Sequence, residues 1–266
     1  MPIIHSRAAG EVSNASSTVY LVGAGPGAPD LLTVRAANLL ARADVVFHDA
    51  LIHRDTLALA ARAEKIPVGK RCGRHSTAQR FIDKRLVDAA GKHHVVVRLK
   101  GGDPLLFGRA QEEIAALEAA GIRYEIVPGV TAALAAAAAL GTSLTQRGSV
   151  RTFALATPRV GDGEDASDWI AGFRHADAGA IYMGFRQAAA IASSLIDAGM
   201  APSTPVAIVV DASLPSTRTQ YTSLAQLRTL TERDIDGAAV LLVGPQFHPR
   251  DARIHDVDRH VIARRA

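Results

Sequence analysis

Three runs of small residues each stand directly behind an apolar, β-branched run. They are Gly23-Ala24-Gly25-Pro26-Gly27 after 18–22, Gly101-Gly102-Asp103-Pro104 after 95–99, and Pro128-Gly129-Val130-Thr131 after 124–127. Glycine at such places lets backbone N–H and C=O groups approach a ligand closely. In an open α/β sheet, ligands bind beyond the carboxyl ends of the strands. Asp103 adds a carboxylate suited to an amino group or to ribose hydroxyls, although Asp-Pro is also ordinary turn chemistry. The first run fits part of a dinucleotide fingerprint: Gly23, Gly25 and Ala28 stand at its offsets, with Asp44 or Asp49 about 20 residues on. Pro26 and Pro29 interrupt it where such loops run straight into a helix, which leaves an NAD-dependent oxidoreductase as an alternative. Lys70, Arg71, Arg74 and His75 form a cationic cluster that reads either as an anion site or as a solvated basic loop. The histidines show no ligand spacing, and one cysteine, Cys72, excludes an intrachain disulfide framework or a multi-thiolate centre, so no metal is expected.

The elements that must position these residues alternate. Strands are expected at 18–22, 44–48, 65–68, 95–99 and 124–127. Helices are expected at 31–43, with Asp30 as N-cap, and at 77–90, 109–120 and 130–140. Strands alternating with helices of this length predict an α/β fold with a largely parallel sheet. The strands lack polar alternation, as sheets buried on both faces do. A second block follows a polar loop at 157–168, with strands at 180–183, 206–210 and 239–243, a helix at 186–198, and a polar, β-prone stretch at 217–222 suited to an antiparallel strand. The expected organisation is a disordered tail at 1–17, an N-terminal α/β domain at 18–148, a C-terminal α/β domain at 149–247 and a charged tail at 248–266.

Composition narrows the class. The chain has 266 residues, 48% hydrophobic and 21% charged, which is globular usage rather than disorder or coiled coil. A net charge of +4 suits an anionic ligand but is too mild to argue for nucleic acid, and 5% aromatics makes base-stacking platforms a poor reading. The longest apolar stretch, 130–140, falls short of the ~20 residues a membrane span needs. With no targeting segment visible, a soluble cytoplasmic protein is expected.

At these motifs the chain resembles the uroporphyrinogen-III C-methyltransferase family. The resemblance lies in VYLVGAGPGAPDLLTVRA (19–36), VGKRCGRHSTAQ (68–79), VVRLKGGDPLLFGRAQEE (96–113), VPGVTAA (127–133) and IYMGFRQAAAI (181–191). It implies a two-domain tetrapyrrole methyltransferase-like α/β fold, a homodimer, and an active-site cleft between the domains. It also implies transfer of methyl groups from S-adenosyl-L-methionine to C2 and C7 of uroporphyrinogen III. The products would be precorrin-2, for siroheme or cobalamin synthesis, and S-adenosyl-L-homocysteine. Carried over by motif, the cofactor would touch Pro26, Gly101, Gly102, Asp103, Leu106, Thr131, Ala132 and Met183, with Ala212 and Ala239 from looser matches. Asp49 in FHDAL would accept a proton and Lys70 would donate one, or Lys70 would pair with substrate carboxylates. Arg71, Arg74 and His75 would bind those carboxylates, with Arg147, and with Arg98, Lys100 and Arg109 extending the patch.

The chain departs from the family pattern at Gln146, where LTHR reads LTQR, and at Thr157-Pro158, where TGH is usual. A methyltransferase of the same fold acting on a later corrin precursor remains an alternative. With residues 1–17 alone ahead of the first strand, the dehydrogenase and chelatase module of bifunctional relatives is not expected.

Overall fold

The computed structural model describes residues 17–68, 79–160, 165, 167–230 and 237–249. These residues form two compact units, 17–25 with 29–129 and 26–28 with 130–249. The two expected tails fall almost wholly outside the described residues, as do Lys70, Arg71, Arg74 and His75.

In the first unit the order along the chain is β1 (Thr18–Gly23), α1 (Val34–Arg42), β2 (Val45–His48), α2 (Arg54–Ala58), β3 (Glu64–Pro67), α3 (Gln79–Ala90), β4 (Val95–Lys100), α4 (Ala110–Ala119) and β5 (Arg123–Val127). The sheet runs β3-β2-β4-β1-β5 with every neighbouring pair parallel. Both faces are covered. Val19, Leu21 and Val96 pack with Leu86 of α3 and with Ile114 and Leu117 of α4. Val22, Val97 and Leu99 pack on the other side with Ala36, Leu39 and Leu40 of α1. That double burial explains why the strands read as unbroken apolar runs. The helix expected from residue 31 begins later. Pro29–Leu31 makes a 3₁₀ turn, and Thr33 rather than Asp30 caps α1, its Oγ1 accepting from the Ala36 N–H at 3.1 Å. Asp30 is exposed one turn too early to reach those amides.

The second unit contains α5 (Ala132–Leu140), β6 (Phe153–Ala156), α6 (Trp169–Arg174), β7 (Ala178–Tyr182), α7 (Ala188–Asp197), β8 (Pro205–Val210), β9 (Arg218–Ser223), α8 (Leu224–Leu227) and β10 (Ala239–Val243). Its sheet runs β6-β7-β10-β8-β9. Only β6 and β7 pair in parallel; β10 is antiparallel to both β7 and β8, and β9 to β8. The expectation of a largely parallel sheet therefore holds for the first unit alone. Strand β9 turns back from β8 through 211–217, a short connection that only antiparallel strands permit, as expected at 217–222, so the departure lies in β10. The units divide after Gly129, earlier than the boundary expected near Gly148. Helix α5 accounts for this, because Ala133, Ala136 and Leu140 bury against Ala178, Ala180, Ala207, Val209 and Leu242 of the second sheet.

The same clamp opens a parallel strand pair in each unit. Before β2, the Asp44 carboxylate accepts from the N–H groups of His94 and Val95 at 2.9 and 2.8 Å, at the start of β4. Before β7, Asp177 accepts from the N–H groups of Arg151 and Thr152 and from the Thr152 hydroxyl, ahead of β6. Hydrogen bonds from backbone amides hold both carboxyls below their ordinary value of 3.8, the Val95 amide contributing most at Asp44 and the Thr152 amide at Asp177.

At the opposite edge of the first sheet, three strand ends meet backbone to backbone. A Cβ on Gly23 would lie 2.6 Å from the Gly129 nitrogen and 2.7 Å from the Gly102 oxygen. Replacing Gly23 by alanine is expected to cost about 1–3 kcal/mol through forced backbone displacement, read as a lower urea midpoint with unchanged slope. The clamps contribute stability that is fully present above pH 3.8 and lost as pH falls through their lowered native pKa values. An Asp44→Ala/Asp177→Ala protein should therefore lose less stability than the parent when acidified below pH 3.8, as followed by thermal melts across that range.

Candidate active site

The glycine loops of the first unit converge as the sequence suggests, but most of their glycines serve one another. The Gly25 N–H donates to the Gly102 carbonyl at 3.2 Å, and the Gly102 N–H returns to the Gly25 carbonyl at 2.8 Å. Asp103 ties the second loop to the third, its Oδ2 accepting from the Gly129 N–H at 2.9 Å and its Oδ1 from the Leu105 N–H at 2.8 Å. The carboxylate that the sequence offers to a ligand thus already organises the loops. Gly101 differs. It is exposed, and a Cβ there would meet nothing within 4 Å, so its backbone lies open to approach. Beyond it, Leu105 is exposed, Leu106 half-buried, and Phe107 and Arg109 take left-handed backbones. Such conformations persist only where the surroundings enforce them and cluster at functional sites. Arg109 grips Glu112 through two hydrogen bonds of 2.7 and 2.8 Å.

Asp49 follows β2 at the same carboxyl edge, with its side chain 32% exposed. Its Oδ1 receives Nη2 of Arg98 at 2.6 Å. Arg98 and Lys100 alternate along β4 and both face α4, where fully buried Glu113 accepts from Arg98 Nε at 2.9 Å and from Lys100 Nζ at 2.9 Å through both oxygens. Burial opposes the Arg98 charge, but Asp49 and Glu113 outweigh it and raise its pKa. Burial, joined by the Arg98 charge, pushes the Lys100 ammonium below its usual 10.5 against the pull of Glu113. The expectation that Arg98 and Lys100 extend a surface basic patch is wrong. Each is almost wholly buried because a carboxylate inside the unit claims it.

The second unit gathers its candidates at one sheet edge. Tyr182, at the end of β7, places its hydroxyl 2.7 Å from Thr131 Oγ1 and accepts from the Ala133 N–H at 3.1 Å, which joins the start of α5 to that edge. Burial raises the Tyr182 pKa. Met183 follows with a left-handed backbone and a 43% exposed side chain. Pairing of Val240 with Tyr182 and of Ala239 with Val210 sets Ala239 at the same edge. Asp211 and Ser213, also left-handed, flank buried Ala212. The Ala28 N–H donates to Ser213 Oγ at 3.0 Å, so the Pro26–Ala28 stretch belongs here. Arg147 is exposed on the turn closed by the Gln146–Val150 bridge, and no hydrogen bond among the described residues ties it to the Met183 edge.

Reading residue by residue overlooked Glu113 and Tyr182. The available signal for Glu113 was two cations at alternate positions of an otherwise apolar strand, which demand a buried counter-charge. Nothing local marked Tyr182. Of the two acidic residues offered to the dinucleotide reading, Asp44 sits at the far end of β2, clamped to β4, and Asp49 at the carboxyl edge is held by Arg98.

Two α/β units, each with loops and left-handed residues collected at one sheet edge, define an α/β protein of the two-sheet kind. Residues 18–228 match the family model for Tetrapyrrole (Corrin/Porphyrin) Methylases. A siroheme synthase from Psychrobacter sp. (strain PRwf-1) is 41% identical over 240 residues, which cover 90% of this chain and 48% of that one. The structure of a uroporphyrin-III C-methyl transferase from Thermus thermophilus, complexed with S-adenyl homocysteine, is similar with a TM-score of 0.75 and 38% identity, covering 86% of this chain and 97% of the other. A cobalt precorrin-4 methyltransferase has a TM-score of 0.74 at 30% identity, covering 87% and 96%. The chain belongs to the tetrapyrrole methylase family. It spans about half the length of the curated relatives it matches.

Replacing Glu113 by alanine takes the counter-charge from buried Lys100 and leaves Arg98 with Asp49 alone. Unfolding free energy should fall by about 3–5 kcal/mol, measured by urea denaturation; a loss under about 1 kcal/mol would contradict the burial described.

Proposed function

We propose that this chain methylates uroporphyrinogen III at C2 and C7 with S-adenosylmethionine, giving precorrin-2. The observation that carries the reading is the likeness, over 97% of its length, to the Thermus protein complexed with S-adenyl homocysteine, the demethylated form of that donor. The residues fit such a donor. Open backbone at Gly101 suits a ligand read by N–H and C=O groups, and Met183, 43% exposed, offers a soft apolar side chain. Pro26, Gly101, Gly102, Asp103, Leu106, Thr131, Ala132, Met183, Ala212 and Ala239 are assigned to the donor. Asp103 acts there chiefly by shaping its loop.

The donor, when bound, supplies an electrophilic methyl on a sulfonium. An electron-rich pyrrole carbon would take that methyl as the sulfur–methyl bond breaks and S-adenosylhomocysteine leaves, so the protein supplies alignment rather than a nucleophile. A base then takes a proton from the substrate. Asp49 is assigned that role: it is a partly exposed carboxylate at the carboxyl edge and Arg98 fixes its direction, whereas both oxygens of Asp103 already accept from backbone amides. Lys70, Arg71, Arg74 and His75, outside the described residues, are assigned to the substrate's carboxylates together with Arg147, and Lys70 also to proton donation. A cytoplasmic homodimer completes the proposal; large apolar side chains such as Val34 and Leu51, 78% and 68% exposed, offer surface for a second copy. No helix among the described residues is long and apolar enough to cross a membrane.

The cobalt precorrin-4 methyltransferase likeness supports a second reading, methylation of a later corrin precursor. Incubation with uroporphyrinogen III and methyl-labelled donor decides between them: a dimethylated product supports the first, and no methyl incorporation overturns it. Asp49→Asn is expected to lower kcat by ~10²–10⁴-fold while S-adenosylhomocysteine still binds by calorimetry.

A further inference from the structure

A buried ion network runs from the interior of the first unit to the base assigned above. Arg98 uses three separate donors. Nε binds Glu113 at 2.9 Å, Nη1 binds the Leu99 carbonyl at 3.1 Å, and Nη2 binds Asp49 at 2.6 Å. The Leu99 carbonyl also receives the Asp49 backbone N–H at 3.4 Å. The carboxylate and its own backbone are thus referred to one point on β4. Glu113 is held in turn by Lys100 through both oxygens, and Gln79 Nε2 approaches its Oε1 at 3.4 Å. Two cations and two carboxylates balance. Three of the four side chains are at most 4% exposed, and only Asp49 reaches solvent.

Stability does not account for this arrangement. Buried ion networks of this kind are often no more stable than apolar side chains of similar volume, and apolar packing surrounds this one. What the network does that an apolar core cannot is hold one oxygen, Oδ1, of a carboxylate whose side chain is 32% exposed. No described residue donates to Asp49 Oδ2.

We propose that Arg98 is a positioning residue for the methyl-transfer reaction, orienting the Asp49 carboxylate, and that the Glu113–Lys100 pair locks the guanidinium in place. The assignment rests on the reading of Asp49 as the base. A lysine at 98 cannot replace the three-way fork.

Arg98→Lys tests it, measured by single turnover with methyl-labelled donor, once in the parent and once in a protein already carrying Asp49→Asn. In the parent background kcat should fall by about 10²-fold with KM nearly unchanged. Added to Asp49→Asn, the further loss should be under about threefold, because residues acting as a unit are non-additive. If Arg98→Lys does not fold, judged by S-adenosylhomocysteine binding, the charge-balanced pair Glu113→Leu/Lys100→Met takes its place. It keeps the Arg98–Asp49 contact but frees the guanidinium, and it should show the same pattern. A folded variant with kcat within about threefold of the parent overturns the proposal, as does an equal loss in both backgrounds, which a general structural role would produce. Asp49→Asn retaining full kcat would remove the base assignment and the proposal together, whereas an inactive Asp49→Asn beside an active Arg98→Lys removes the proposal alone.

Discussion

Everything at the carboxyl edge of the first sheet depends on three polypeptide backbones passing closer than side chains allow. The ends of β4, β1 and β5 meet at Gly102, Gly23 and Gly129, and the Gly25–Gly102 bridge and the Asp103–Gly129 hydrogen bond close the contact. This close packing fixes where the loop after β4 begins. From that start follow the open backbone of Gly101, the left-handed residues at 107 and 109, and the first turn of α4 that carries Glu113 inward. A methylene added among the glycines would disturb the loop, the helix start and the buried charges together.

The buried charges are the second constraint. Two cations on alternate positions of β4 face an apolar layer, and neither is tolerable there without a partner. Glu113 satisfies both and leaves Arg98 one donor to spend on Asp49. The residue assigned to chemistry is thereby tied to the core rather than carried on a mobile loop, which suits a reaction whose catalysis is mainly a matter of alignment.

How much of this was legible in the sequence follows from the range of each signal. The parallel sheet of the first unit was readable because apolar runs ending in glycine recur with helices between them. The antiparallel placement of β10 was not, since its five residues look the same whichever way they run and only their neighbours decide. Helix α2, one short turn capped by His53, is too brief to show a period. The motifs located the candidate site, and the structure then divided their glycines into those needed for packing and one, Gly101, left open outward. Arg98 and Lys100 read as surface cations because sequence shows charge but not the carboxylate that arrives from another element. The contacts of Tyr182 with Thr131 and Ala133 join residues 51 and 49 positions apart, beyond any local pattern.

Asp44 and Asp177 do the same work in two unlike sheets, each pinning the start of one strand to the start of its parallel neighbour. In the first unit that pin lies at the end remote from the glycine loops. Register is thus settled at the end away from the candidate site, and the opposite rim inherits a fixed frame. Outside the packed glycines, side chains on that rim can change without unzipping the strands beneath them. A sheet pinned at one end can in this way present different side chains at the other.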